Sequence, residues 1–245
     1  SYQEFVESKT QLGGKSGFAP RFLPSWLFDF QADLTTWSVE KGRAAIFADC
    51  GLGKSGMQLA WAANVPGRVL ILAPLCVAEQ TVGEGRKFGV PVKYSTTPID
   101  APITITNYER LENFDPSDYA GVVLDESSIL KAFDGKTRTR LIETFEQTPY
   151  RLCCTATPSP NDIAELANHA EFLGLMTRAE FLATWFVHDD EGWRMKGHAV
   201  QPFFRWLSSW AIAINSPSDI GYADDGFKLP PLQIHDHILQ LEHSS

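Results

Sequence analysis

The chain has no surplus of positive charge. Its 21 Lys and Arg face 30 Asp and Glu, a formal net charge of −9 over 245 residues. A module that held DNA by electrostatics alone would be basic, because phosphate neutralisation dominates such affinity. The balance argues against a simple DNA-binding module. It leaves proteins that grip a strand through backbone amides and a few local cations. Cysteine is also scarce. Cys50, Cys76, Cys153 and Cys154 include no C-x-x-C pair, and the adjacent Cys153 and Cys154 are poor partners for one metal ion. A zinc site is therefore not expected, and the thiols read as reduced core cysteines of a cytoplasmic protein. No apolar run is long enough to cross a bilayer, and no signal-peptide pattern opens the chain, so no membrane partner is expected. Internal repeats and low-complexity tracts are absent from the sequence. The first residue is Ser1 rather than Met, which reads as a piece of a longer protein.

What is present divides into three stretches. Residues 1–26 are an N-terminal lead-in. Its Gly13-Gly14-Lys15-Ser16 looks like the end of a phosphate loop, but no apolar strand precedes it and Lys9 stands where a first Gly is needed. Residues 27–173 alternate between apolar strands at 44–48, 68–73, 103–106, 121–124 and 150–154 and helices at 53–64, 77–87 and 161–173. Continuous apolar strands alternating with helices predict an α/β fold, a mainly parallel sheet sandwiched by helices. In such sheets ligands sit at the carboxyl ends of the strands. Residues 174–245 read as a small helical and hairpin appendage, with helices at 177–186 and 202–214 and a hairpin turn at 189–192. Phe203, Phe204, Trp206, Leu207, Trp210 and Ile214 form an apolar face at helical spacing, read as core rather than a base-stacking platform. Leu229-Pro230-Pro231 leads into an alternating segment at 233–239, where His235 and His237 share a strand face without an evident third metal ligand.

Three segments carry chemistry, and each follows a strand. In Ala48-Asp49-Cys50-Gly51-Leu52-Gly53-Lys54-Ser55 a strand ends and a helix begins. Gly51, Leu52 and Gly53 let the backbone curl so that its N–H groups and the helix N-terminus face phosphate oxygens. Lys54 is placed to pair with the β- and γ-phosphates of ATP and Ser55 to ligate Mg²⁺. In Val122-Val123-Leu124-Asp125-Glu126-Ser127-Ser128 an apolar strand ends in two acids, which are costly there unless they meet a cation or do work. Asp125 is placed to hold Mg²⁺ and Glu126 to orient the attacking water. In Thr155-Ala156-Thr157-Pro158, Thr155 and Thr157 are placed to sense the γ-phosphate and relay its loss.

Taken in order, these segments resemble the motif series of superfamily-two helicases and translocases, in its Snf-type branch. Residues 27–31 (LFDFQ) look like the Q-motif, which implies Gln31 as an adenine contact. Residues 48–55 match motif I in its A-x-x-G-x-G-K-[S/T] form, and 122–128 match motif II as D-E-S-S. Residues 69–80 and 103–111 resemble motifs Ia and Ib, and 151–173 (RLCCTATPSPNDIAELANHAEFL) are similar to the Snf-type motif III region. Residues 203–241 resemble the stretch that closes the first lobe and crosses to the second. The phrases LDESSILK and PSDIGY resemble phage- or prophage-type members. The resemblance implies a RecA-like P-loop lobe, ATP and Mg²⁺ as ligands, DNA (double-stranded) and a second RecA-like lobe as partners, and the cytoplasm of a bacterial or phage-infected cell.

By position, the resemblance also implies DNA-backbone contacts at Pro74, Leu75, Thr106 and Asn107. Lys131, Lys136, Arg138 and Arg140 form the most basic stretch, open between a solvated helix face and a phosphate contact. The sequence departs from the family at two points. Phe28 and Asp29 stand where the Q-motif carries a basic residue, and Ser128 replaces the motif II His. Motifs IV to VI, with the arginine finger, are not in the chain, so the lobe alone is expected to hydrolyse ATP poorly. A P-loop ATPase that ignores nucleic acid and a nucleotide-regulated scaffold lobe remain as alternative readings.

Overall fold

The computed structural model describes residues 16–131, 135–159, 162–189 and 192–227. The phosphate-loop lookalike up to Lys15, the tip of the 189–192 turn, Leu229-Pro230-Pro231 and the 233–239 segment with His235 and His237 lie outside the described residues.

Buried apolar runs set the architecture. The strands β1 (Arg43–Ala48), β2 (Val69–Ala73), β3 (Val92–Tyr94), β4 (Ile103–Asn107), β5 (Gly121–Asp125) and β6 (Tyr150–Thr155) lie in one parallel sheet. A seventh strand from later in the chain, β9 (Ala211–Ile214), completes the order β3-β4-β2-β5-β6-β1-β9. Side chains alternate across the sheet and feed two cores. Ala44, Ile46, Ile71, Val123 and Cys154 face one side, covered by α1 (Asp29–Lys41), α2 (Lys54–Asn64) and α3 (Leu75–Phe88). Ala45, Phe47, Leu72, Leu124 and Cys153 face the other, covered by α4 (Lys136–Thr144), α5 (Leu166–Phe172), α6 (Arg178–Trp185) and α7 (Val200–Leu207). Every residue of β2, β4 and β5 is buried, as a sheet covered on both faces requires. This is the α/β sandwich expected from the sequence.

The register brings chemistry together. Asp125 at the end of β5 lies opposite Cys154, and Phe47 near the end of β1 lies opposite Thr155. The carboxyl ends of β1, β5 and β6 are therefore adjacent, and each leads directly into one of the three motif segments.

The segment expected as one helix over 202–214 is instead a helix and a strand. Helix α7 ends at Leu207, where Ser208 and Ser209 turn their hydroxyls back onto the carbonyls of Arg205 and Trp206. Strand β9 (Ala211–Ile214) then pairs in parallel with β1, with Ala45 opposite Ala211. Without β9, β1 would be an edge with unpaired backbone groups. Ala45 N–H donates to the Trp210 carbonyl at 2.9 Å, and Asp49 N–H to that of Ile214 at 3.0 Å. Backbone pairing at an open edge thus overrides the helical spacing. The sheet takes this strand from beyond residue 173. Strand β3, only three residues long, gave no readable alternation. The 161–173 helix opens as a 3₁₀ turn at Ile163–Glu165, capped where the Asp162 carboxylate accepts Ala164 N–H at 2.9 Å. Two further strands, β7 (Phe186–Asp189) and β8 (Gly192–Met195), pair antiparallel with Asp189 opposite Gly192, the geometry of the expected hairpin.

Of the expected aromatic face, Phe203, Trp206 and Trp210 are buried, while Phe204 is 48% exposed. Phe203 meets Phe181 edge-to-face at 5.8 Å, and Trp206 meets Trp210 at 5.3 Å. These rings are core, as read from their spacing. Phe203→Ala is expected to lower unfolding free energy by ~3–5 kcal/mol, and its neighbour Phe204→Ala by only ~0.5 kcal/mol. Urea denaturation of both variants checks this, and equal losses would contradict the packing described.

Candidate active site

The loop from Asp49 to Gly53 links the end of β1 to the start of α2. Its shape needs glycine. Gly51 and Gly53 take φ of 83° and 76°, a region L side chains enter at a cost. At Gly53 there is also no room, since a Cβ would lie 2.3 Å from Gln31 Nε2. The Asp49 carboxylate accepts Cys50 N–H at 2.6 Å. Lys54 Nζ folds onto the loop, donating to the carbonyls of Ala48 at 2.9 Å and Asp49 at 3.2 Å. Ser55 follows, half-buried in the first turn of α2. Leu52 is buried and offers the loop only its backbone.

Gln31 sits at the third position of α1 and is 6% exposed. Its Oε1 accepts Phe28 N–H at 3.1 Å, and its Nε2 donates to the Leu52 carbonyl at 3.0 Å. The expected adenine contact is thus also a strut under the phosphate loop.

The acid pair is held from several sides. Asp125 is 5% exposed, and Gln58 of α2 donates to its Oδ1 at 2.7 Å. Burial, chiefly, pushes the Asp125 carboxyl above its ordinary range, and the Glu126 charge adds to this, while the Gln58 hydrogen bond and Lys54 oppose it. Tyr108, whose hydroxyl burial keeps protonated, donates to the Asp125 carbonyl at 2.7 Å. Glu126 has φ of 53°, the single positive value outside glycine among the described residues. Thr155 Oγ1 donates to Glu126 Oε2 at 3.0 Å, Thr157 N–H to Thr155 Oγ1 at 3.1 Å, and Lys131 Nζ to the Thr157 carbonyl at 2.6 Å. An unbroken hydrogen-bonded chain therefore runs from Glu126 through both threonines to Lys131.

Lys54, Ser55, Asp125, Glu126, Thr155 and Thr157 all lie at the joined ends of β1, β5 and β6. Two site residues escaped the sequence reading. Gln58, fully buried, lies one helical turn after Lys54, and a polar residue on the inner face of α2 was its signal. Its Oε1 has no hydrogen-bond partner among the described residues. His169, fully buried on α5, faces Ser127 with Nε2 3.1 Å from the hydroxyl oxygen.

A Mg²⁺ ion fits the donors present. Among the described residues no group of three or more His, Cys, Asp or Glu is placed to hold a metal. The oxygens of Ser55 and Asp125 are the hard donors Mg²⁺ takes when substrate phosphates complete its shell. The oxygen of the Gln58 amide that bonds Asp125 is buried and has no hydrogen-bond partner among the described residues.

The expected DNA contacts scatter. The side chain of Thr106 is fully buried. Its place on β4, covered on both faces, is the reason. Asn107 is 6% exposed and donates to Glu109 Oε2 at 2.6 Å. Pro74 caps α3 beside Leu75, which is 62% exposed. Lys131 is tied to Thr157. Lys136 and Arg138 lie in the first turn of α4, and Arg140 pairs with Glu112 at 3.5 Å.

Burial, then the nearby Lys131 charge, pushes the His169 imidazole down to about 3. An unfolded histidine titrates at about 6.5. Below that pH the unfolded chain binds a proton that the folded chain refuses. The stability from neutral His169 is therefore complete above about pH 6.5 and lost as pH falls, by about 1.4 kcal/mol per unit. The raised Asp125 acts in the opposite direction, so the comparison must be with a variant. Between pH 7 and 5 the wild type is expected to lose about 2 kcal/mol more than His169→Leu in urea unfolding. Parallel losses would mean that the imidazole titrates freely.

No protein-family model and no curated protein sequence matches the chain. Solved structures do. The Sulfolobus solfataricus SWI2/SNF2 ATPase core, solved in complex with dsDNA, superposes with a TM-score of 0.66 at 20% identity, over 81% of this chain and 46% of that one. The present chain thus spans less than half of that protein's length. The UvsW helicase of bacteriophage T4 (TM-score 0.49, 18% identity, 72% of this chain and 66% of that one) and the Pyrococcus furiosus Hef helicase domain (0.49, 19%, 59% and 35%) also align. The chain has the fold of a RecA-like α/β lobe, in the form seen in the SWI2/SNF2 ATPase core.

Proposed function

We propose that the chain is the ATP-binding first lobe of a DNA-dependent ATPase motor, which hydrolyses ATP to drive movement along duplex DNA once joined to a second lobe. The observation that carries this reading is the meeting of Lys54, Asp125, Glu126 and Thr155 at three adjacent strand ends. No reading as a passive scaffold requires a hydrogen-bonded acid pair, with Asp125 buried and Glu126 half-buried, beside a phosphate loop.

In this reading Lys54 leaves the loop carbonyls to neutralise the β- and γ-phosphates. The amides of residues 51–54 and the N-terminus of α2 cradle the same oxygens. Gln31 reads adenine while bracing the loop. Bound Mg²⁺, held by Ser55 and Asp125, supplies charge neutralisation at the transferring phosphoryl group. Glu126 orients the attacking water for in-line displacement. When the γ-phosphate leaves, Thr155 feels the change at Glu126 and passes it through Thr157 to Lys131, toward the DNA-facing side. DNA as partner draws support from the similar fold solved with dsDNA. The grip on its backbone falls to Pro74 and Leu75 at the start of α3, to Asn107, and to Lys131, Lys136 and Arg138. The second lobe supplies the arginine finger, without which hydrolysis is ~10³–10⁵ slower. A setting in the cytoplasm of a bacterial or phage-infected cell suits a DNA motor with four free cysteines among its described residues.

Steady-state ATP hydrolysis by the full-length protein, with and without duplex DNA, tests the proposal. Duplex DNA is expected to stimulate hydrolysis, and Lys54→Ala to reduce it by ~100-fold or more. DNA-independent hydrolysis, or none at all, would overturn the motor reading.

A further inference from the structure

Motif residues explain the carboxylate end of Glu126 but not what holds its backbone. At φ of 53° Glu126 occupies a conformation that a non-glycine residue keeps only where its surroundings enforce it. On its N-terminal side Asp125 is locked into β5 opposite Cys154, with its carbonyl bonded to Tyr108. On its C-terminal side the anchor is Ser127. This serine is fully buried, and its hydroxyl meets His169 Nε2 at 3.1 Å. His169 is itself fully buried, on α5, and packs edge-on against Phe47 of β1 at 5.2 Å between ring centroids.

A hydroxyl and an imidazole in this otherwise apolar layer are a poor choice for packing alone. Each is costly if it loses the other, whereas two apolar side chains of similar size would fill the space without that liability. The pair differs from apolar packing in being directional. It fixes the residue after Glu126 to a helix on the far side of the core, and so fixes the direction in which the Glu126 side chain leaves the strand. We infer that His169, acting through Ser127, is a positioning residue for hydrolysis, setting the orientation of Glu126 toward the attacking water. The inference rests on the proposed role of Glu126. It assigns His169 no contact with nucleotide or DNA.

The test compares His169→Leu, His169→Gln, Ser127→Ala, the Ser127→Ala/His169→Leu double variant and Glu126→Gln in the full-length protein. DNA-stimulated ATP hydrolysis and the affinity for Mg·ADP are measured for each. Glutamine carries a polar group to about the place of Nε2. His169→Leu is expected to lower kcat by roughly 10- to 100-fold, the usual loss for a supporting residue, with KM and Mg·ADP affinity unchanged. His169→Gln restores most of the rate. Ser127→Ala shows a similar loss, and the double variant is no worse than either single one, as a shared contact requires. An unchanged kcat in a folded His169→Leu, or loss of kcat together with nucleotide affinity and no rescue by glutamine, overturns the inference. If His169→Leu does not fold, Ser127→Ala decides alone by the same kcat and affinity criteria. Glu126→Gln separates the two levels. If it leaves hydrolysis unchanged, the role of Glu126 fails and the inference falls with it. If it abolishes hydrolysis while His169→Leu does not slow it, only the inference fails.

Discussion

The 2.7 Å hydrogen bond from Gln58 to Asp125 ties the phosphate-loop helix to the strand that carries the acid pair. A carboxylate as deeply buried as Asp125 would otherwise be driven toward its neutral form and lose its use as a cation ligand. Gln58 supplies a donor that opposes this shift without adding a second charge. The rest of the site is arranged around this point. Register between β5 and β6 sets Thr155 beside Glu126, and register between β6 and β1 sets the loop beside both. Gln31 braces the loop from the opposite side. The geometry follows from a parallel sheet in which one strand order, β5-β6-β1, places three motif segments next to each other.

Much of this is legible in the sequence, for physical reasons. Apolar strands buried on both faces announce themselves as uninterrupted runs, and GLGKS after such a run has few other structural uses. Long-range pairing does not announce itself. Strand β9 looked helical because Phe203, Trp206 and Trp210 really do share a helix-spaced face, and nothing local says that the chain straightens after Trp210 to close the edge of β1. Gln58 and His169 escaped because each is a polar residue on an apolar face, whose partner lies 67 or 42 residues away.

The acidic balance noted at the outset also finds a place in this account. A net charge of −9 leaves little general attraction for DNA. In the proposed reading contact comes from a few local groups, and α4 gathers Lys136, Arg138 and Arg140 while the exposed Leu75 opens α3. The Lys131 ammonium is bound to the Thr157 carbonyl at the end of the hydrogen-bonded chain that begins at Glu126. In the proposed motor this gives a nucleotide event at the strand ends a short, polar route toward the basic face.

The central claim is that the joined ends of β1, β5 and β6 form a nucleotide site. Calorimetric titration of ADP into the full-length protein, with and without Mg²⁺, beside Lys54→Ala, tests it most directly. The account predicts one site per chain, strengthened by Mg²⁺ and lost in Lys54→Ala. Absence of binding, or binding indifferent to Lys54→Ala, would contradict it.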